Sequence, residues 1–149
     1  MTRARDLAVT YPSLPTDAPA AAVARALAEE PVDAVFVERH GQLQGVVSDL
    51  GLLLRLLPGY ILEDPTLAQV LEEDAAGLLW QRLDGHTAAD LLPVQGAEVA
   101  QVDGDATLLE VAAAMVRARA PLVAVRDRDG RLLGGITTSR LITRLLGAL

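Results

Sequence analysis

The chain carries the same pattern of apolar and polar positions twice. From Gly45, "GVVSDLGLLLRLL" runs from a glycine through valines and a hydroxyl residue into a leucine-rich tail, and "GGITTSRLITRLL" follows the same order from Gly134. Upstream, "TDAPAAAVARAL" matches "GDATLLEVAAAM" at a spacing of 88 residues, and "ARDL" from Ala4 matches "AADL" from Ala88. Such self-similarity indicates two copies of one supersecondary unit.

Each copy begins with a short strand followed by an alanine-rich helix. The strands are predicted near "PSLPT" and "VAQVD". The helices are predicted over roughly 18–29 and 106–119, where apolar residues recur at helical spacing. Asp17 and Asp105 stand directly before these helices. They are the predicted N-caps, because a carboxylate at that position accepts hydrogen bonds from free backbone N–H groups.

Two further strands and a closing helix complete each copy. The runs "AVFVE" and "LVAVR" are dense in valine, and "ERHGQ" and "DRDGR" supply glycine turns to second strands. Ser48 and Thr137 follow those second strands and are predicted to cap the closing helices. The predicted fold class is therefore α/β (or α+β), with two β-α-β-β-α units. Because neither unit alone buries a sufficient core, we expect them to pack sheet to sheet as a pseudo-twofold pair.

The predicted organisation is one unit over residues 1–57, a connecting segment over 58–85 and a second unit over 86–149. In the connecting segment, apolar residues at helical spacing predict an amphipathic helix after Asp64. They are Leu67, Val70, Leu71, Ala75 and Leu78. Trp80 falls on the polar face of that helix. It has two interpretations: burial at a dimer or partner surface, or a bend in the helix that lets it cover a neighbouring loop.

Composition narrows the class of function. The chain has 149 residues, 51% of them hydrophobic, and no cysteine, which excludes disulfides, thiolate nucleophiles and cysteine-ligated metals. No apolar run reaches the ~18–20 residues of a membrane span, and the N-terminus lacks the apolar core of a signal peptide. The net charge of −7 disfavours nucleic-acid binding. We therefore expect a soluble, cytoplasmic protein that binds neither nucleic acid nor membrane.

Little in the sequence indicates catalysis. All thirteen basic residues are arginine, so lysine-based Schiff-base chemistry is excluded. The two histidines, His40 and His86, are far apart in sequence and have no ligand spacing around them. Neither a metal site nor a histidine-based catalytic pair is predicted, and we do not expect an enzyme. The acidic run "LEEDAAG" is interpreted as a solvated helix face.

The two glycine-initiated stretches resemble the signature of the CBS domain, named for cystathionine β-synthase. That signature is Gly, two apolar residues, Thr or Ser, two free positions, then Asp or Asn. The first copy reads "GVVSDLG" from Gly45 to Gly51, and the second reads "GGITTSR" from Gly134 to Arg140. The resemblance covers most of the chain and implies a tandem CBS pair that forms a stand-alone module.

The resemblance also implies a function and a set of site residues. Members of the family often hold adenine nucleotides in clefts between the two units and dimerise. The signature hydroxyl contacts phosphate, and the terminal acid hydrogen-bonds the ribose. The candidate ligand-binding residues are therefore Gly45, Ser48, Asp49, Gly134, Thr137, Thr138 and Arg140. AMP, ADP and ATP are the candidate ligands, a homodimer is the expected assembly, and regulation would act on a separate effector protein.

The start of a helix favours phosphate on physical grounds alone, because it presents free N–H groups and about half a positive charge. The chain departs from the family pattern at the acid position, which is Gly51 in the first copy and Arg140 in the second. Neither side chain accepts a hydrogen bond from ribose. Asp49 lies two residues earlier, about 200° around the helix. Arg140 is interpreted either as a clamp for phosphate or carboxylate or as a solvated helix residue.

Two functions stay open at this point. The first is a non-catalytic regulatory module that binds a small anionic ligand in the cleft between its two units. The second is a structural module that works through dimerisation and binds no ligand. The same alternatives apply to single residues: Ser48 and Thr137 are helix caps with or without a ligand contact. Gly45 and Gly134 allow either ligand approach or close packing of the strands.

Overall fold

The computed structural model describes residues 1–64, 66–70, 75–93 and 99–147. It contains two three-stranded sheets together with helices, which confirms the mixed α+β class. Both copies follow the predicted order of strand, helix, strand, strand, helix. The residues between the two copies add further helices.

The first copy is built from the sheet β1-β2-β3 and two helices. Its elements are β1 (Ser13–Pro15), α2 (Ala20–Glu29), β2 (Ala34–Arg39), β3 (Gln42–Ser48) and α3 (Asp49–Leu56), and a short helix α1 (Ala4–Leu7) precedes them. β2 and β3 are joined at the predicted glycine turn, where His40 and Gly41 have φ angles of 54° and 78° and form a two-residue turn.

The second copy repeats this arrangement. Its elements are β4 (Gln101–Asp103), α7 (Leu108–Ala118), β5 (Leu122–Arg126), β6 (Leu132–Thr137) and α8 (Thr138–Leu146). β4 pairs parallel with β5, and β5 pairs antiparallel with β6. In the β5–β6 loop, the Asp127 carboxylate accepts hydrogen bonds from the backbone N–H groups of Asp129 and Arg131, both at 2.9 Å. This side-chain turn holds the longer loop in place of the two-residue turn of the first copy.

The chain forms two compact units, and each draws on separate stretches of sequence. The central unit comprises Pro12–Val37 and the described part of Val46–Val94. The terminal unit comprises Met1–Tyr11, Glu38–Gly45 and the described part of Gln95–Leu149. Their membership therefore differs from the predicted ranges 1–57, 58–85 and 86–149. The segment Glu38–Gly45 and two short helices are grouped with residues that are remote in sequence.

Those two helices are α1 and the 3₁₀ helix Ala88–Leu91, the matching "ARDL" and "AADL" stretches. Each donates backbone hydrogen bonds to the turn between the first strand and first helix of its unit. The bonds are Ala4 N to Ala106 O (2.9 Å), Arg5 N to Gly104 O (3.0 Å), Ala88 N to Ala18 O (2.7 Å) and Ala89 N to Thr16 O (3.1 Å). The two sets are equivalent in the repeat, so each unit is completed in the same way.

Each unit has its own hydrophobic core, and the short helices contribute to both. The core of the central unit contains Ala18, Ala20, Val23, Val35, Val37, Val47, Leu52, Leu56, Leu83, Ala88 and Leu91. The core of the terminal unit contains Ala4, Leu7, Ala100, Ala106, Val111, Met115, Val123, Val125, Ile136 and Leu141. Small alanine and branched valine side chains dominate both lists, which lets the strands and helices approach closely.

The predicted N-caps of the first helices are wrong. The N-cap of α2 is Pro19, which has no side-chain cap, and the N-cap of α7 is Thr107, whose hydroxyl accepts from Glu110 N at 3.2 Å. A β-turn intervenes between each strand and its helix. In the second copy, Ala106 N donates to Asp103 O at 3.0 Å, so Asp105 lies in this turn. Asp105 forms ion pairs there with Arg5 and Arg128 instead.

The connecting segment contains α4 (Gly59–Glu63), α5 (Thr66–Val70) and α6 (Ala75–Leu83). α4 was not predicted, whereas α5 and α6 lie within the predicted amphipathic helix. Leu71 and most of the acidic run lie outside the described residues. Asp64 accepts a hydrogen bond from Thr66 N at 3.1 Å, as expected of a cap. The core contacts of this segment come mainly from α6, through Leu79 and Leu83.

Trp80 of α6 is 48% exposed. The Arg25 guanidinium of α2 lies 5.8 Å from the centroid of its ring, a cation–π contact within the central unit. This contact partly explains why an indole lies on the polar face of α6. Burial of Trp80 against a second chain stays a prediction.

Candidate functional site

The closing helices of the two copies start in the same way. The Ser48 hydroxyl accepts a hydrogen bond from Gly51 N at 2.9 Å, and the Thr137 hydroxyl accepts one from Arg140 N at 3.2 Å. The backbone angles of the two cap residues agree closely, with φ −85° in both and ψ 163° and 158°. Sequence reasoning predicted both caps, and the structure confirms them.

The residue after each cap ties the helix start to the preceding strand. Asp49 N donates to Asp33 O at 2.9 Å, and Thr138 N donates to Pro121 O at 3.0 Å. The side chains of Asp49 and Thr138 are both exposed. The Asp49 carboxylate accepts from its neighbour Leu50 N at 2.6 Å, so it is engaged in the first turn of α3.

The residue at the acid position of the signature differs between the two copies: it is Gly51 in the first and Arg140 in the second. At Gly51, an added Cβ would lie 3.0 Å from the Ser48 hydroxyl oxygen, so a larger residue would crowd the cap. At Arg140, the side-chain Nε donates to Leu7 O at 2.6 Å, at the end of α1. This bond fixes the guanidinium group beside the start of α8.

A concave surface surrounds Arg140 in the terminal unit. It has a volume of about 410 Å³ and is lined by Leu7, Ser139, Arg140, Thr143, Arg144 and Gly147. An adjoining concavity of about 560 Å³ shares Leu7, Arg140 and Arg144, and is lined also by Met1, Thr2 and Asp6. Among the described residues that line them, the one carboxylate is that of Asp6, which accepts a hydrogen bond from Arg3 N at 2.8 Å. Two guanidinium groups one helical turn apart make this surface suitable for an anion.

Comparison with known proteins bears on both copies. The family model of the CBS domain matches residues 95–147. A CBS domain-containing protein of unknown function from Kribbella flavida is similar over the whole chain, with 34% sequence identity and a TM-score of 0.85. The match covers 98% of this chain and 99% of that chain.

The chain belongs to the CBS-domain family. Because the Kribbella match spans both copies of the repeat, the duplicated sequence is a tandem CBS pair, as the signatures implied. No curated protein matches the chain.

More distant CBS proteins share the fold. CBSX2 from Arabidopsis thaliana is 18% identical with a TM-score of 0.72, and the match covers 99% of this chain and 96% of that chain. A structure of CBSX2 in complex with AMP is 19% identical with a TM-score of 0.67, covering 99% of this chain and 98% of that chain. At these identities the likeness shows the fold.

The CBS signature glycines are both buried in strands that lead to the closing helices. Gly134 has a φ of +156° and lies against the backbone of Val9, where an added Cβ would collide with the Val9 carbonyl. Gly135, which follows Gly134, forms two backbone hydrogen bonds with Val9, each of 2.9 Å. The missing side chain of Gly134 therefore admits the N-terminal segment beside β6, which favours close packing over ligand approach at this position.

Sequence reasoning missed several arginine contacts of the CBS units. Arg144 Nη2 donates to Thr2 Oγ1 at 2.7 Å, and Arg55, its counterpart in the repeat, donates to Leu92 O at 2.8 Å. The sequence did contain an indication of these contacts, because both arginines occupy the same position of the matching leucine-rich tails. Their partners could not be anticipated, because they lie on segments remote in sequence.

An acidic residue in the central unit also has a defined role. Asp90 lies at the start of the 3₁₀ helix, and its carboxylate accepts from Thr87 N at 2.9 Å. This hydrogen bond, with the nearby His86 ring, lowers the pKa of Asp90, and desolvation opposes that shift. Asp90 is therefore ionised at neutral pH. Among residues 1–64, 66–70, 75–93 and 99–147, no cluster of three or more His, Cys, Asp or Glu is suited to a metal ion.

None of the described helices is long and apolar enough to cross a membrane.

We expect Gly134→Ala to lower the free energy of unfolding by about 2–3 kcal/mol, because the new methyl group displaces the Val9 backbone and the φ angle becomes strained. Urea denaturation followed by circular dichroism measures this change. Gly59→Ala is the matched control, since no atom lies within 4 Å of its added Cβ. A loss for Gly134→Ala no larger than that of the control would contradict the packing role of Gly134.

Proposed function

We propose that this chain is a non-catalytic, regulatory CBS pair that binds a small anionic ligand at the starts of its closing helices α3 and α8. The observation that supports this most directly is the repeated cap, in which Ser48 and Thr137 adopt matching backbone angles and accept equivalent hydrogen bonds. An adenine nucleotide is the first candidate ligand, because CBSX2, a protein of the same fold, has been solved in complex with AMP.

The chemistry of a helix start suits phosphate. The positive end of the helix dipole attracts an anion. The Ser48 oxygen accepts from Gly51 N, so its own O–H group is left to donate to a phosphate oxygen. Ser48 is exposed and is therefore accessible to a ligand.

Arg140 shifts the expected preference from ribose to phosphate. A guanidinium group only donates hydrogen bonds, so it does not replace the acid that holds ribose hydroxyls. Losing those bonds costs about 1–3 kcal/mol, or roughly 5- to 150-fold in affinity. Arg140 and Arg144 supply positive charge in compensation, since both line the concave surface at α8. We therefore expect affinity to rise from AMP to ADP to ATP.

Regulation would follow from differential binding. A ligand that binds one conformation of the module more tightly than another shifts the population toward the first. The signal would then pass to a separate effector protein in the cytoplasm.

A thermal-shift series with AMP, ADP, ATP, NAD and S-adenosylmethionine tests this function. We expect stabilisation that grows with phosphate count and with ligand concentration, because a ligand that binds only the folded state raises its apparent stability. S-adenosylmethionine, which carries no phosphate, should give the smallest shift. Arg140→Gln should remove most of the ATP effect, whereas Arg128→Gln should not, because the Arg128 side chain is 92% exposed and lies away from α8 in sequence.

No shift with any ligand at millimolar concentration would contradict ligand binding. An equal loss of the ATP effect in Arg140→Gln and Arg128→Gln would show a general effect of charge and would contradict the proposed site.

A second function, dimerisation through the closing helices, is favoured by their exposed apolar residues. On α3, Leu50 is 72% exposed and Leu54 is 64% exposed, and Leu53 is half exposed. On α8, Ile142 and Leu146 are also exposed. Contiguous exposed leucines on a helix are typical of an interaction surface, and a second copy of the chain would cover them.

Sedimentation velocity measures this assembly. We expect the wild type to sediment as a dimer and Leu54→Glu to shift it toward monomer, because a carboxylate would be buried at the interface. The control is Leu109→Glu on α7, where the wild-type side chain is 74% exposed. A monomeric wild type, or equal dissociation in both variants, would argue against an α3 interface.

A further inference from the structure

We propose that the central unit carries a separate oxyanion site, formed by Arg55, Arg82 and His86. It would take a tetrahedral oxyanion, either free phosphate or the phosphoryl group of a small phosphate ester. The three residues line one concavity of about 290 Å³, together with Gln81, Asp90 and Leu91. They come from different elements: Arg55 from α3, Arg82 from α6 and His86 from the turn before the 3₁₀ helix.

The guanidinium groups of this concavity have N–H donors that make no hydrogen bond within the described part of the chain. Arg55 is half buried and gives one hydrogen bond, from Nη2 to Leu92 O at 2.8 Å, out of five N–H donors on a guanidinium group. Within the part of the chain that the structure describes, Arg82 makes no hydrogen bond or ion pair, although the chain carries a net charge of −7. A guanidinium group left without an acidic partner in an acidic protein is a group available to a ligand.

Among the described residues that line the concavity, Asp90 carries the one carboxylate, and it is held by neighbouring groups. It accepts from Thr87 N at 2.9 Å and from the Thr87 hydroxyl at 3.4 Å, which hold it at the start of the 3₁₀ helix. It also lies 3.4 Å from His86 Nδ1. The lining therefore carries more positive than negative charge.

The site is distinct from the one proposed at the helix starts. Arg55 follows the Ser48 cap by seven residues, which is about 10 Å along α3. The terminal unit does not repeat it: Thr2 stands where His86 does in the "ARDL"/"AADL" match, and Arg82 belongs to the connecting segment, which has no second copy. Ligand binding at the two places can therefore be tested separately.

The two histidines make the site directly observable. In proton NMR the Cε1–H signal of His86 reports on the concavity, and that of His40, in the β2–β3 turn, serves as an internal control. Sodium phosphate, sodium sulfate and glycerol 3-phosphate are titrated at constant ionic strength against sodium chloride, and His86→Gln assigns the signals. We expect a saturable shift of His86 with each oxyanion, a small linear shift with chloride, and little change at His40.

The charged groups that face His86 in this concavity are Arg55, Arg82 and Asp90. Tighter binding of glycerol 3-phosphate than of inorganic phosphate would identify the phosphoryl group of a metabolite as the ligand, and the reverse would identify the free ion.

Arg82→Gln is the decisive variant, because Arg82 is exposed and has no described partner whose loss would disturb the fold. We expect it to weaken oxyanion binding about tenfold, the equivalent of about 1.4 kcal/mol. Arg128→Gln and Arg140→Gln should leave the His86 response unchanged, the latter even if nucleotide binding at α8 is lost. Equal responses of His40 and His86, an oxyanion response no larger than that of chloride, or equal affinity in Arg82→Gln and Arg128→Gln would overturn the proposal.

Discussion

Backbone hydrogen bonds from a short helix to a strand-to-helix turn complete each unit of this CBS pair. Ala4 N bonds Ala106 O in the terminal unit, and Ala88 N bonds Ala18 O in the central unit. Ala4 and Ala88 are also fully buried core residues. Each core therefore depends on a segment that lies far away in sequence, and a half of the chain cut at the repeat boundary would lack part of it. The terminal unit would lose Ala4 and Leu7 from its core, and the central unit would lose Ala88 and Leu91.

The local elements were predictable because short-range chemistry decides them. The hydroxyl residues at Ser48 and Thr137 end strands and begin helices, and the His40-Gly41 pair forms a two-residue turn. Prediction failed at Asp17 and Asp105, where a β-turn stands between strand and helix. A cap is only one of several roles open to an aspartate near a helix start, and aspartate is equally favoured in a β-turn, such as the one that the hydrogen bond of Ala106 N to Asp103 O closes.

The repeat alone could not predict that each short helix, α1 or Ala88–Leu91, joins a unit that is remote from it in sequence. The match of "ARDL" with "AADL" indicated that the two stretches are equivalent in the repeat, but a spacing along the chain does not show which sheet a segment joins. Gly134 illustrates the same limit. Its place in the family signature suggested a ligand contact, whereas its neighbour in space is the backbone of Val9. In both cases the structure depends on contacts between segments that are remote in sequence, and local sequence patterns carry little information about such contacts.

The two copies share the geometry of the helix cap at Ser48 and Thr137. They differ at the acid position of the CBS signature, which is Gly51 in the first copy and Arg140 in the second. The bond of Arg140 to Leu7 O fixes it against α1, so this short helix and the site are physically linked in the terminal unit. A positive group anchored in this way favours charge over sugar in a ligand.

Hydrogen–deuterium exchange of the backbone amides of Ala4 and Ala88 tests most directly whether each short helix is bonded to a unit that is remote in sequence. If these amides bond to Ala106 O and Ala18 O, they should be protected to nearly the same degree as the central amides of β5 and β2, although both lie in short helices near chain segments that would otherwise fray. Exchange of Ala4 and Ala88 at the rate of an unstructured peptide, while the strands stay protected, would contradict the account.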